Sequence, residues 1–576
     1  MSGLTIAQLL DELDEAARRG LIEESGSPVG RFRFVHALVR DAVYQQIAPL
    51  RRAQFHRDAA EALASLPEGR PSERLAEIAF HFAKSSGLGR DQRIAEYGAR
   101  AAAQASHALA FERAEAIATA AMRALEGTDL LARNWRLIAE RARAASGLGT
   151  KRDSLPWIKL AFDAAEAACS ERGIVVCSRL LTATPDEDMQ PFLDRALKVV
   201  SEGTRPAALT AAYYAGHIAE RAPVRAEALS GHGRRWLESN ADPEVEVAYR
   251  IARCNLNFHR GLFAKLIEDG EALLASGIEA PVAGRDLMGH RMAGTGCIGE
   301  GDLAGVERHG WEMREPARAI SRHWSARAVD LIAIAALCRG DWESFDAILH
   351  EPEHDPNDPV LFGLQQLAAA ERGELQELER LIAAVPAYDI AQNSLAPLFP
   401  RAARALAALH AGEPSVVLGF EPGSAKGPMQ NAFWDVMGHT IGAFSAAACK
   451  DEEAAAQSHY VLSRHPAFFC WWRHSWHAMG LASAVCGEFN RAIAELGRAR
   501  EFYAQGFRVG GAWCAFDLAS ALIERNQAAD SERATELLLD AHGTAAELGL
   551  RELVRRSEGT LAKLNRAVAR ATPEAV

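Results

Sequence analysis

The sequence has no Gly-x-x-x-x-Gly-Lys-[Ser/Thr] loop, so nothing in it is built to cradle the phosphates of a nucleotide. The Gly-rich fragment Gly423-Ser-Ala-Lys-Gly427 lacks both the spacing and the terminal hydroxyl. No Gly-x-Ser-x-Gly elbow occurs, and no Cys-x-x-Cys pair. The nine cysteines stand singly, which excludes a disulfide framework and reads as reduced, mostly buried thiols. Basic charge is in deficit: 64 Lys and Arg against 76 Asp and Glu leave −12, which argues against a chain-wide nucleic-acid footprint. Long apolar runs are missing too. The uncharged stretch Val436–Cys449 is too short and too rich in Gly and polar residues to span a bilayer. At the N-terminus Asp11 and Glu12 follow quickly, with no basic and apolar segments of a signal peptide. These absences set the expectation of a soluble, cytoplasmic chain with no membrane contact, no cofactor and no catalysis.

What is present is a regular punctuation. Gly followed by an acidic residue recurs at Gly301-Asp302, Gly340-Asp341, Gly373-Glu374, Gly412-Glu413 and Gly487-Glu488, with Lys450-Asp451 filling the remaining gap. The spacings are 39, 33, 39, 38 and 37 residues, between Ala- and Leu-rich segments. A near-constant period in this range is the mark of stacked helix pairs, each unable to bury its apolar face alone. With 576 residues, 49% of them hydrophobic, the chain is globular and needs more than one packing unit.

The first 35 residues differ from the rest. Thr5-x-x-Gln8 starts a helix as a capping box, and Ile6, Leu9, Leu10, Leu13, Ala16 and Ala17 follow at helical spacing. Gly20 ends it. Leu21–Glu24 and Arg31–Val35 alternate apolar and polar residues about a Ser-Gly-Ser-Pro-Val-Gly turn and read as a hairpin. A helix followed by a two-stranded wing is the second half of a winged helix, here without its first half. Helices follow near 35–47, 50–64, 72–85, 91–108 and 111–125, and no further strand is expected. Pro156, Pro185, Pro191, Pro206, Pro223 and Pro243 mark turns or first helical turns. The clearest single repeat is Arg473–Ala504, with Gly480, Gly487, Ala492, Leu496 and Ala499 at positions of turn and helix-helix contact.

The run from Leu9 to Glu24 leads into Arg31-Phe-Arg-Phe-Val-His-Ala-Leu-Val-Arg-Asp-Ala-Val-Tyr44, and then Arg51-Arg-Ala-Gln-Phe-His-Arg57. Together they resemble the large bacterial signal-transduction (STAND-type) ATPases, where a P-loop ATPase precedes a winged helix and tetratricopeptide-like repeats. Large LuxR-type (MalT-like) transcriptional regulators and ATPase-linked nucleotide cyclases share this middle. The resemblance covers roughly residues 5–125 and recurs weakly at 530–564. It departs from the family in lacking the ATPase loop and the LuxR-type output helices.

The resulting expectation is an all-α tetratricopeptide-like superhelix with a truncated winged helix at its front. Its segments are 1–48 (partial winged helix), 49–128 (linking helices and a first hairpin), 129–290 (irregular hairpins), 291–566 (degenerate repeats) and 567–576 (disordered tail). Arg31, Arg33 and Arg40 give the wing a basic character suited to phosphate contact, but pairing with an ATPase domain or solvent contact is the favoured reading. His36 reads as packed at the junction between wing and helix. In Phe468-Phe-Cys-Trp-Trp-Arg-His-Ser-Trp-His477, Trp471, Trp472 and Trp476 could line a pocket with Arg473 orienting an anion. Packing as the first helix of the best-formed repeat is the favoured alternative. His474 and His477 lack a third ligand, so no metal is expected. Asp358-Pro359 reads as an N-cap followed by Pro at the first helical position, and Asp186-Glu187-Asp188 as a helix start. The functional expectation is a non-catalytic sensor scaffold that binds a partner protein, a peptide or a small inducer through its helical-repeat surface. A DNA-binding regulator and an enzyme with an unrecognised cleft, or a cyclase remnant, stay open beside it.

Overall fold

Helices dominate the fold: 29 α-helices among the described residues, against one two-stranded sheet. The computed structural model describes all residues except 1–4, 26–30, 67–70, 90, 109, 149–150, 183–189, 276–284, 321, 352–357, 385–397, 418–419, 422–430 and 572–576. The Asp186-Glu187-Asp188 and Gly423–Gly427 readings thus lie outside the described residues. The chain divides into two units, Met1–Ser201 and Glu202–Val576, with the division inside the 129–290 segment.

In the first unit, α1 (Ile6–Arg18) opens on the expected capping box: Gln8 N donates to Thr5 Oγ1 and Thr5 N to Gln8 Oε1. Gly20 takes φ +68 and lets Leu21 N donate to Ala16 O, which closes the last turn. β1 (Ile22–Ser25) and β2 (Arg31–Phe34) then pair antiparallel, Ile22 opposite Phe34 and Glu23 opposite Arg33. α2 (Ala37–Gln46), α3 (Pro49–Ser65) and α4 (Pro71–Lys84) follow close to the expected limits. From α4 onward antiparallel neighbours pack on small residues such as Ala95, Ala102, Ala114 and Ala118, all buried. Pro156 departs from its expected place: it lies in the second turn of the helix Lys151–Ala167 rather than at an end.

In the second unit the punctuation is a helix-ending turn. Gly301, Gly340, Gly373, Gly412 and Gly487 all have φ between +72 and +87, and Lys450 takes φ +57 in the one turn without glycine. At five of these turns the acidic residue's N–H reaches back to a carbonyl: Asp302 to Cys297, Asp341 to Ala336, Glu374 to Ala369, Asp451 to Ala446 and Glu488 to Ser483. The Asp side chains also accept from the next helix, as Asp302 does from Gly305 N at 2.9 Å and Asp451 from Ala454 N at 3.0 Å. One dipeptide thus ends one helix and caps the next.

Later helices pack over these turns. Trp342 Nε1 donates to Leu548 O at 2.8 Å, Phe469 N to Gly299 O at 3.3 Å, and Arg556 to Leu409 O at 2.5 Å. A Cβ on Gly301 would fall 2.7 Å from the Phe502 ring, and one on Gly340 2.9 Å from Leu548, whereas Gly487 faces open space. Gly301→Ala and Gly340→Ala are therefore expected to cost about 2–4 kcal/mol, the left-handed backbone adding to overpacking. Gly487→Ala should cost only about 1–2 kcal/mol, for backbone alone. Urea midpoints of the three variants test this; equal losses would mean that the turns are not packed. The last helix, Arg551–Ala571, continues into the stretch expected to be a disordered tail.

Candidate functional site

The aromatic segment is a tight loop rather than a helix. Cys470 N donates to Arg473 O at 2.8 Å and Ser475 N to Phe468 O at 3.1 Å, while Phe469 and His474 form an isolated bridge. Trp471 takes φ +63 at the tip, a costly conformation for a bulky residue. The helix Ser475–Val485 begins only after it, with His474 Nδ1 accepting from Trp476 N. Trp471, Trp472 and Arg473 are 2%, 3% and 1% exposed. Side chains so covered offer a partner nothing, so the contact reading of these three gives way to core packing. Trp476 is half-buried beneath the Arg498 guanidinium, 4.5 Å from its ring centroid.

Arg473 is instead the centre of a buried polar network. It donates to both carboxylate oxygens of Glu371, at 2.6 and 3.1 Å, and to Trp472 O at 2.8 Å. Burial opposes its charge, but Glu371 outweighs burial and leaves the guanidinium more firmly protonated than usual. Tyr503 Oη accepts from His474 N at 2.9 Å and lies 3.2 Å from His477 Nδ1, whose Nε2 meets Asp517 at 2.9 Å. His410 stacks on Trp513 with centroids 3.6 Å apart. Burial pushes the His410 and His477 imidazoles down and the Tyr503 phenol up, so all three are neutral at ordinary pH. The Arg473–Glu371 pair neutralises itself and ties together elements 102 residues apart in sequence.

Arg33 and Arg40 are exposed. Arg33 pairs with Glu23 across the hairpin at 2.6 Å, and Arg40 with Asp41 at 2.8 Å; Arg31 stands in β2 opposite Ser25. His36 is exposed, contrary to the packed position expected for it. The surroundings of these residues are unusual. Of the 19 large hydrophobic side chains that stand exposed among the described residues, 13 fall within Ile6–Phe80, so the apolar surface is concentrated there. Ile6, Leu38 and Leu50 are 80%, 82% and 71% exposed. Among the described residues up to Ser65 only Ile22 and Ala60 are buried apolar groups, too few for a core. Sequence periodicity showed the apolar stripe of α1 but not that it would face outward.

Three further features were not read from the sequence. A cleft of about 360 Å³ in the second unit is lined by Thr204, Ala208, His232, Arg235, Trp236 and Ser239. His290, His309 and Glu312 bring two imidazoles and a carboxylate together, with ligand atoms within 4.8 Å of one another. The string His350-Glu-Pro-Glu-His354 has the spelling of a zinc-peptidase motif, which requires both histidines on one helical face. Here His350 ends the helix Trp342–Leu349 and Glu351 pairs with Arg314, while 352–357 lie outside the described residues.

No family model and no curated protein matches the chain. Among solved structures it is similar to the Cut9–Hcn1 complex of the anaphase-promoting complex (11% identity, 90% of this chain and 98% of the other, TM-score 0.41). It is also similar to the pentatricopeptide repeat protein PPR10 from maize (12%, 98% and 78%, 0.27) and to yeast Tom70 (11%, 89% and 96%, 0.22). Likenesses at this level carry no argument about function. By its own geometry the chain is an all-α protein of tetratricopeptide-like helical hairpins with a small two-stranded sheet near its N-terminus. Among the described residues no helix is long and apolar enough to cross a membrane.

Proposed function

We propose that the chain is a non-catalytic regulatory scaffold whose N-terminal apolar face, on α1, α2, α3 and α4, binds a partner protein. The observation that carries this is the concentration of exposed Ile, Leu, Val, Phe and Tyr in Ile6–Phe80 beside a nearly empty core. A concentration of exposed apolar side chains of this kind marks an interface, and covering each large side chain contributes about 1.5–3 kcal/mol to association. The favoured occupant is a folded domain rather than a short peptide, since the apolar positions are spread over four helices and the hairpin. This face coincides with the segment resembling the signal-transduction ATPases, in keeping with a sensor arm that reports to an ATPase or output domain. DNA contact has less support, because Arg33 and Arg40 already hold carboxylates. A small anionic inducer is the second reading, resting on the cleft beside His232 and Arg235.

Ile6→Glu and Leu38→Glu change side chains at least 80% exposed and should leave the fold intact. Each is expected to release the partner from the complex purified out of the native cells, seen as a fall in size on gel filtration. Val224→Glu, equally exposed in the second unit, should release nothing. A complex that survives both N-terminal variants would refute the reading.

A further inference from the structure

We propose that His290, His309 and Glu312 form a binding site for a divalent transition-metal ion of the zinc class, with two Nδ1 atoms and one carboxylate oxygen as ligands. His290 lies on the helix Arg285–Glu300, and His309 and Glu312 on the helix Leu303–Ile320 that follows the Gly301 turn. His309 and Glu312 are three residues apart and so share a helical face. Gly294, one turn beyond His290, permits the approach: a Cβ there would lie 3.2 Å from His309 Cβ.

The distances fit a metal. The two Nδ1 atoms are 3.1 Å apart, and His290 Nδ1 is 3.4 Å from Glu312 Oε2. Ligands of a tetrahedral ion with bonds of about 2.0–2.1 Å stand about 3.3 Å from one another. The donor set also fits, since two imidazoles and a carboxylate suit zinc and leave one coordination position for water. Glu312 is about half exposed while His309 is buried, so the site has both a rigid wall and an entry path.

The competing arrangement is a metal-free hydrogen bond between the two rings, with His309 Nε2 accepting from Arg308 at 3.2 Å. A metal on Nδ1 puts the ring proton on Nε2, so Arg308 must then turn away, towards Glu271 at 3.6 Å. The two arrangements respond oppositely to loss of Arg308. Arg308→Ala tightens metal binding, because it removes both a cation and a competing donor.

The test is calorimetric titration of the metal-stripped full chain with Zn²⁺, and optical spectroscopy with Co²⁺ in its place. One ion per chain is expected, with a Co²⁺ spectrum that shows no thiolate charge-transfer band. His290→Ala and Glu312→Gln each weaken binding by ~10-fold or more, and Arg308→Ala strengthens it. Glu312→Gln keeps the shape of an exposed side chain, so it tests the site even where a histidine variant fails to fold. Absence of uptake, a thiolate band, or affinity unchanged by Glu312→Gln would each overturn the proposal.

Discussion

Lowering the pH from about 7 to about 5 is expected to lower the second unit's stability by about 4 kcal/mol or more. His410, His474 and His477 are buried there and His259 is partly buried, and desolvation lowers the imidazole of each, to about 3 for His259 and His474. The groups facing them do not reverse this. His259 packs against the rings of Phe258 and Phe433, His410 faces Arg473 and Arg556, and His474 faces His477. Asp517 favours protonation of His477 but does not overcome burial. A histidine whose folded pKa lies below its unfolded value binds fewer protons when folded. Its contribution is therefore complete above about pH 6.5 and is lost as pH falls towards the folded value. At about pH 5 His259 and His474, with folded values of about 3, each cost about 2 kcal/mol, and the lowered His410 and His477 act in the same direction. Urea midpoints by circular dichroism between neutral and acid pH test this. A midpoint unchanged down to about pH 5 would mean that these rings are solvated.

The second large effect belongs to the buried ion pair. Arg473→Met should cost about 3–5 kcal/mol, because it leaves the Glu371 carboxylate buried without its partner. Removing both charges, as Arg473→Met with Glu371→Leu, should recover most of that loss, since desolvation nearly cancels the attraction in the intact pair. The cycle of single and double variants in urea isolates the coupling. A single variant that costs less than about 1 kcal/mol would show the pair to be hydrated.

Local features of this architecture were legible in the sequence and long-range ones were not. The α1 capping box, the hairpin and the first helices follow from caps, glycines and periodicity, which act over a few residues. The Gly-acidic punctuation was legible for the same reason, and Lys450-Asp451 keeps the turn because the backbone bond from Asp451 N does not depend on the side chain before it. The Phe468–Ser475 loop was not legible, because its aromatics face partners such as Phe258, Phe433 and Phe502 that lie far off in sequence. Arg473 read as a candidate to orient an anion, for want of any local sign of Glu371. His290 sits on a different helix from His309 and Glu312, so no motif spacing joins them. The outward turn of the α1 stripe was hidden too, since periodicity shows that a face is apolar but not what covers it.

The most direct test of the docking face is a photo-crosslinking residue placed in native cells at Leu38 and, separately, at Tyr460, an exposed aromatic of the second unit. The account predicts a discrete protein adduct from position 38 and none from position 460. An adduct from position 460, with none from position 38, would move the partner to the helical repeats and contradict it.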